Sequence, residues 1–268
     1  MTHRKRLFLL AAAALIAGGC AGPPRPGAPV DAGRVEDIVA RVMSAEATGP
    51  LRASGAGRFD AVGESREFTF ALLYDPPGWL RIDARPPFAA IPGPSGVSGV
   101  VVGDRMTVRL PAAGSWFTGD LRDALPGIEW TDPGAFVVGR PNLGFLTRLR
   151  HARLERTAGG IVVSGDLFGR SIEAAIDTAS YAATRVAFAD RGSFSVTLSY
   201  GGHGWNRDAG MPQTVTVDYS DGERTALLVL TYDHAAPEAL VDRREHAMEP
   251  PPGAPALRWE DLGIWRKP

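Results

Sequence analysis

A single thiol stands in this chain of 268 residues. Cys20 closes the run Leu15-Ile16-Ala17-Gly18-Gly19-Cys20, downstream of a basic start, Arg4-Lys5-Arg6, and an apolar run from Leu7 to Ile16. A cysteine after small residues at the end of such a run has the arrangement of an acyl acceptor. Cleavage before it leaves Cys20 as the lipid-carrying first residue of a bacterial lipoprotein. Two other readings use the same residues: an ordinary secretory signal with an incidental cysteine, or a short membrane anchor. The apolar run is too short to span a bilayer comfortably. Its charged start, apolar middle and small-residue end match a cleaved signal. Residues 1–19 therefore read as the signal peptide and Cys20 as the lipid-attachment site. Acylation of Cys20 excludes a disulfide and a zinc–thiolate site.

Other chemistry is sparse. No G-x-S-x-G elbow, H-E-x-x-H, Walker loop or paired-cysteine site occurs. The five histidines, His3, His151, His203, His234 and His246, are scattered, and His3 lies in the signal. Tyr200-Gly201-Gly202-His203-Gly204 has the look of an active loop, although a glycine-rich hairpin end with one histidine is ordinarily a turn. Acidic residues fall at polar-face positions along strands. No catalytic group, metal ligand set or cofactor is read, and the expectation is a protein that is not an enzyme. A net charge of -1 offers no field for nucleic acid.

The elements that carry these residues follow from patterning. The segment 20–30 contains AGPPRPGAP, an extended tether between lipid and folded part. From Asp31 to Thr48, Val35, Ile38, Val39, Val42 and Met43 recur at helical spacing and form one apolar stripe. Asp31 is the N-cap and Gly49-Pro50 the stop. Alternating runs follow at Leu51 to Asp60, Glu67 to Tyr74 and Trp79 to Ala84. Others run from Val97 to Val102 and from Arg105 to Leu110, with Gly103-Asp104 as a hairpin turn between them. Ser115 to Thr118 adds a short strand.

Prolines at 126, 133 and 141 break Gly119 to Leu149 into short helical pieces. Within them, Asp132-Pro133-Gly134 caps Ala135-Phe136-Val137-Val138. Period-2 patterning resumes from His151 and continues to Tyr232. About eleven or twelve short strands joined mostly by hairpins make a strongly bent antiparallel sheet or open barrel. Residues 236–268 are a Pro-rich tail. In it Glu238 to Met248 reads as a short polar helix, and Trp259 and Trp265 either fold back or meet a partner.

The order of elements resembles the LolA/LolB lipoprotein-localisation family over residues 31 to 234. The most specific local match is Ser199-Tyr200-Gly201-Gly202, then Met211-Pro212, then Thr214 to Tyr219, then Asp221-Gly222-Glu223-Arg224 before the alternating Leu228, Leu230 and Tyr232. The resemblance implies a mainly β fold with a few helices: a half-open antiparallel β-barrel of about eleven strands with a helical lid. It places residues 31–235 in that domain and makes the helix at Asp31 to Thr48 part of a cover over a lipid cavity. The cavity and lid residues it implies are Val35, Ile38, Val42, Phe68, Phe70, Leu72, Leu80, Ile82, Phe136 and Val137. It also implies a membrane-contact loop, for which Pro87-Phe88 and Ile91 are the candidates. On physical grounds, four prolines exclude Arg85 to Pro94 from a central strand and put Phe88 and Ile91 on a loop. That loop is longer and richer in proline than the family's.

The function expected from these readings is an outer-membrane-anchored, periplasm-facing lipoprotein. It binds acyl chains, accepts lipoproteins from a LolA-like carrier and inserts them into the membrane. Ala21, rather than the aspartate that retains lipoproteins in the inner membrane of many enteric bacteria, follows Cys20. The alternative is an envelope lipoprotein of the same fold that binds another hydrophobic ligand or scaffolds an assembly.

Overall fold

A computed structural model describes residues 32–45, 49–61, 63–86, 96–110, 114–121, 132–190, 194–206, 209–220, 222, 225–254 and 256–257. Cys20, Phe88, Ile91, Trp259 and Trp265 lie outside the described residues.

Helix α1 (Ala32–Ala45) precedes the sheet. Its stripe is the predicted one: Val35, Ile38, Val39 and Val42 are buried, while Arg34, Glu36, Asp37 and Arg41 face solvent. The strands are β1 (Leu51–Ala61), β2 (Glu64–Asp75), β3 (Trp79–Arg85), β4 (Val97–Val102), β5 (Arg105–Leu110) and β6 (Ser115–Asp120). After a helical insertion come β7 (Arg150–Thr157), β8 (Gly160–Leu167), β9 (Arg170–Ile176), β10 (Ala183–Ala189), β11 (Ser195–Gly201), β12 (Thr214–Ser220) and β13 (Thr225–Pro237). The insertion holds the one-turn helix α2 (Pro133–Val137) and a 3-10 helix (Leu143–Arg148).

These strands make one fourteen-stranded sheet in the order β14-β6-β5-β4-β3-β2-β1-β13-β12-β11-β10-β9-β8-β7. Every neighbouring pair is antiparallel except β14 (Ala256–Leu257), which lies parallel on β6. The count exceeds the eleven or twelve strands expected, because Ser115–Asp120 is a full strand and β14 comes from the tail. The end strands β7 and β14 do not pair with one another, so the barrel is open. The junction of its two halves is the long β1–β13 ladder, which carries a register shift between Ser54 and Gly55. A Cβ at Gly55 would lie 2.0 Å from the Thr231 carbonyl oxygen, so the backbone approach at this bulge requires glycine.

Strand alternation sends one set of side chains inward. On β1 these are Leu51, Ala53, Gly55 and Gly57, opposite Tyr74, Leu72, Phe70 and Phe68 of β2. On β13 they are Tyr232, Leu230 and Leu228. Most of the core gathers on this concave face, against α1, α2 and the 3-10 helix.

A second, small cluster sits on the convex face. Leu73, Trp79 and Val100 are buried there by Val241, with Met248 packed at the side. The stretch Glu238 to Met248 that reads as a polar helix is instead a non-helical strap. Glu238 pairs with Arg52 at 3.1 Å, Arg243 with Asp75, and Arg81 donates to the His246 carbonyl at 3.3 Å. Tertiary anchoring of a single valine overrides the local polar pattern. The edge strand β7 exposes Arg150, His151, Arg153, Glu155 and Arg156.

Candidate functional site

The concave face divides into a covered and an uncovered part. In the covered part, helices close over Leu51, Ala53, Phe70, Leu72, Tyr74 and Leu80. Helix α1 packs against the 3-10 helix, whose Leu143 and Leu146 are 0% and 1% exposed. At its edge Arg41 donates to the Tyr181 hydroxyl at 2.7 Å and lies over the same ring.

Helix α2 is fastened to the sheet at both ends by tyrosine hydroxyls. At its start Asp132 is the predicted N-cap, accepting from the Ala135 N–H at 3.2 Å. Its second carboxylate oxygen accepts from the Tyr74 hydroxyl at 2.6 Å in a buried bond. At its end the Tyr232 hydroxyl donates to the Val137 carbonyl at 2.8 Å. Complete burial raises the Tyr232 phenol well above its ordinary range, so it stays a donor. Gly134 makes the close approach possible, since a Cβ there would lie 3.0 Å from the Tyr74 ring and from Leu80. Phe136 reaches across the interior to Phe188, with ring centroids 6.1 Å apart, and Phe145 of the 3-10 helix adds a contact at 5.8 Å.

The space beneath α1 is therefore filled. Val42, Val138, Leu143 and Tyr232 are 0% exposed and Leu72 and Leu51 1%, which leaves no water-sized void beside them. Among the described residues, the α1 stripe meets buried side chains of the sheet and of the 3-10 helix. Side chains of the 3-10 helix, which patterning alone did not aim inward, occupy that volume.

Toward the other end of the same face, away from Leu51, the side chains are less fully covered. There Phe59 and Leu228 are cross-strand partners, as are Leu228 and Val217. Phe68 lies opposite Gly57, whereas Ile82 pairs with Leu72 and so borders the covered part. Phe59, Phe68, Ile82, Val217 and Leu228 are each half-buried, and Val97, beside Ala84, is 42% exposed. The glycines shape this trough. A Cβ at Gly57 would lie 2.3 Å from the Phe68 ring, so the ring lies flat on bare backbone. The apolar group of Val217, Leu228, Phe59 and Phe68, bordered on β2 by Arg66 opposite Phe59, suits an aliphatic chain better than a polar substrate.

All ten predicted cavity and lid residues meet in one cluster. Val35, Ile38, Val42, Phe70, Leu72, Leu80 and Phe136 are buried in it, and Phe68, Ile82 and Val137 are packed against it half-buried. Sequence reasoning missed Phe59, Val217 and Leu228, although the alternation of β1, β12 and β13 carries them to the same face. It also missed the two tyrosine ties, whose partners lie 58 and 95 residues away with no spacing signal.

The glycine-rich loop at His203 does not assemble a nucleophile. Ser180 Oγ donates to Asp177 at 2.6 Å, not to an imidazole, which leaves no base to activate it. The His203 ring is half-buried and its Nε2 lacks a partner among the described residues. Burial holds this imidazole below its usual range, against a hydrogen bond to the Ala183 backbone and the charge of Asp177. No group of three metal-ligating side chains occurs among the described residues.

Comparison with known proteins places the fold. No protein-family model matches the chain, and no curated protein matches its sequence. Solved structures do match. One is described as an outer membrane lipoprotein-sorting protein domain, from Vibrio parahaemolyticus. It has a TM-score of 0.54 at 14% identity, covering 80% of this chain and 97% of that one. A LolA-superfamily protein from Nitrosomonas europaea matches with a TM-score of 0.52 at 12% identity over 78% and 96% of the two chains. A DUF1329-family protein from Desulfovibrio piger matches with a TM-score of 0.52 at 12% identity over 81% and 97%. At these identities the likeness is one of fold: the chain has the open, mostly antiparallel architecture of LolA-like proteins.

Proposed function

We propose that this protein binds acyl chains in the uncovered trough of its concave face and passes acylated cargo to a membrane. The observation that carries the reading is the half-buried apolar group of Phe59, Phe68, Val217 and Leu228 beside the buried core. Each methylene moved from water to such a wall gains roughly 0.8 kcal/mol, so a long acyl chain binds without any charged partner. Release then needs no energy source, only a destination of lower free energy, which a bilayer supplies. Sorting of lipoproteins, the role in the description of the Vibrio domain, is the matching biology. The finer reading is a LolB-like one. Acylated Cys20 holds the protein at the periplasmic face of the outer membrane, a LolA-like carrier delivers lipoproteins, and Phe88 and Ile91 contact the bilayer.

The test uses protein with Cys20→Ser, purified without its own lipid. Displacement of a fluorescent acyl probe measures binding, and mass spectrometry identifies co-purified ligand. Leu228→Gln together with Val217→Gln should weaken probe binding about tenfold, the equivalent of about 1.4 kcal/mol. Their half-buried positions should leave the unfolding transition cooperative. No probe binding by the parent, or undiminished binding by the double variant, refutes the trough as the site. A bound hydrophobic molecule that is not an acyl lipid, combined with no acceptance from a LolA-like carrier, favours the same-fold alternative.

A further inference from the structure

The concave face ends in a row that is not apolar. Below Ile172 and Phe188, which pair across β9 and β10, the next inward positions are Arg170 and Asp190. Arg170 also pairs with Leu167 of β8. On the far side of the β10–β11 turn stands Phe194, whose carbonyl accepts from the Asp190 N–H at 2.9 Å.

The Arg170 guanidinium lies over the Phe194 ring, 4.8 Å from its centroid. The residue is 9% exposed, and its Nη1 is buried with no hydrogen-bond partner. Asp190 acts on it through space without supplying that bond. Of the other buried charged groups, Asp132 is fully engaged by Tyr74 and the α2 backbone, and Arg140 has partners of its own.

A guanidinium retained in an apolar interior, stacked on one face and short of an acceptor, is built to receive an oxyanion. Its position relative to the trough is fixed by register. Val196, two residues beyond Phe194, pairs with Tyr219, which continues the half-buried wall through Val217.

We propose that Arg170 receives the anionic end of the ligand, so that the site selects an acyl chain headed by a carboxylate or a phosphate. This rests on the acyl-binding reading above. The chain lies along the trough and the head reaches the row of Leu167, Arg170 and Phe194. The guanidinium Nη1, which has no partner within the protein, then donates to the head.

The experiment displaces a neutral apolar dye from the Cys20→Ser protein at pH 8. The competitors are four amphiphiles of one chain length: palmitate, palmitoyl lysophosphatidate, hexadecanol and monopalmitoylglycerol. The parent should prefer one or both anionic competitors over the neutral ones by about tenfold. Preference for palmitate alone identifies a carboxylate, and for lysophosphatidate alone a phosphate. Arg170→Met and Arg170→Gln should bring all four within about twofold of one another while keeping neutral binding. A cooperative unfolding transition in both variants shows that they fold, whatever the loss of the Asp190 and Phe194 interactions costs. Equal ranking by the parent, or preference that survives in both variants, overturns the assignment. Binding of none of the four overturns the acyl reading and this proposal with it, whereas equal binding of all four overturns only the role of Arg170.

Discussion

The fastening of α2 can be measured. Tyr74 is 4% exposed and its hydroxyl meets an Asp132 that is 7% exposed, so water cannot replace the bond when it is removed. Tyr74→Phe keeps the ring that packs against Gly134 and deletes only the donor. A hydrogen bond to a charged acceptor contributes about 1.5–3 kcal/mol, and the carboxylate left short of a donor stays buried. Asp132 still accepts from Ala135, which keeps the cap partly formed and argues for the lower half of that range. With a urea slope of about 3 kcal/mol per M, the unfolding midpoint should fall by about 0.5–0.75 M at unchanged slope. Asp132→Asn, alone and combined with Tyr74→Phe, completes the cycle, and the coupling should be about 1–2 kcal/mol. Amide exchange should quicken at Val138, Gly139 and Arg140, which bond back into the α2 turn. A midpoint within about 0.1 M of the parent, or a coupling near zero, would show that packing alone seats α2 and that the hydroxyl is incidental.

Two further outcomes concern pH and the tail. The folded protein holds the His203 imidazole below its ordinary range, so the unfolded chain binds that proton more readily. The stability this neutral ring contributes is present above about pH 6.5 and is lost as pH falls through that value. Thermal midpoints measured from pH 7.5 down to 5.5 should fall for the parent and fall less for His203→Gln, and equal slopes would place the effect elsewhere. Val241→Asp should detach the strap from Leu73, Trp79 and Val100, costing about 2–3 kcal/mol and red-shifting tryptophan emission. An unshifted spectrum with an unchanged midpoint would mean that the strap is held by its ion pairs alone.

What could be read from the sequence was what repeats locally. The helical spacing of Val35, Ile38, Val39 and Val42 forecasts a helix whose buried face is the same stripe. The Gly103-Asp104 turn sits between paired strands as its chemistry demands. Phe68, Phe70, Leu72, Leu80 and Ile82, which the family resemblance implied, share one face because side-chain direction in a strand is set by parity. What repeats nowhere was not legible. A tyrosine that bonds to a residue 58 positions away leaves no trace in composition. Arg170 looks like any polar residue at the start of a strand until the sheet curls and turns its inward side toward Phe194. Whether the interior is full or empty is a sum of volumes, and Leu143 and Leu146 decide it from a segment whose prolines and glycines suggested only broken helix.

The two margins of the open sheet have a consequence for crowding. One margin, β6, is overlain by β14 of the same chain, and the other, β7, presents three arginines against one glutamate. Two copies meeting β7 to β7 would bring cation against cation before any ladder could form. Unsatisfied backbone at a sheet edge ordinarily seeds fibres when molecules are concentrated. Here the electrostatic cost of the first contact keeps the copies separate. A sheet with this edge therefore carries its own charge barrier to side-by-side pairing of its copies.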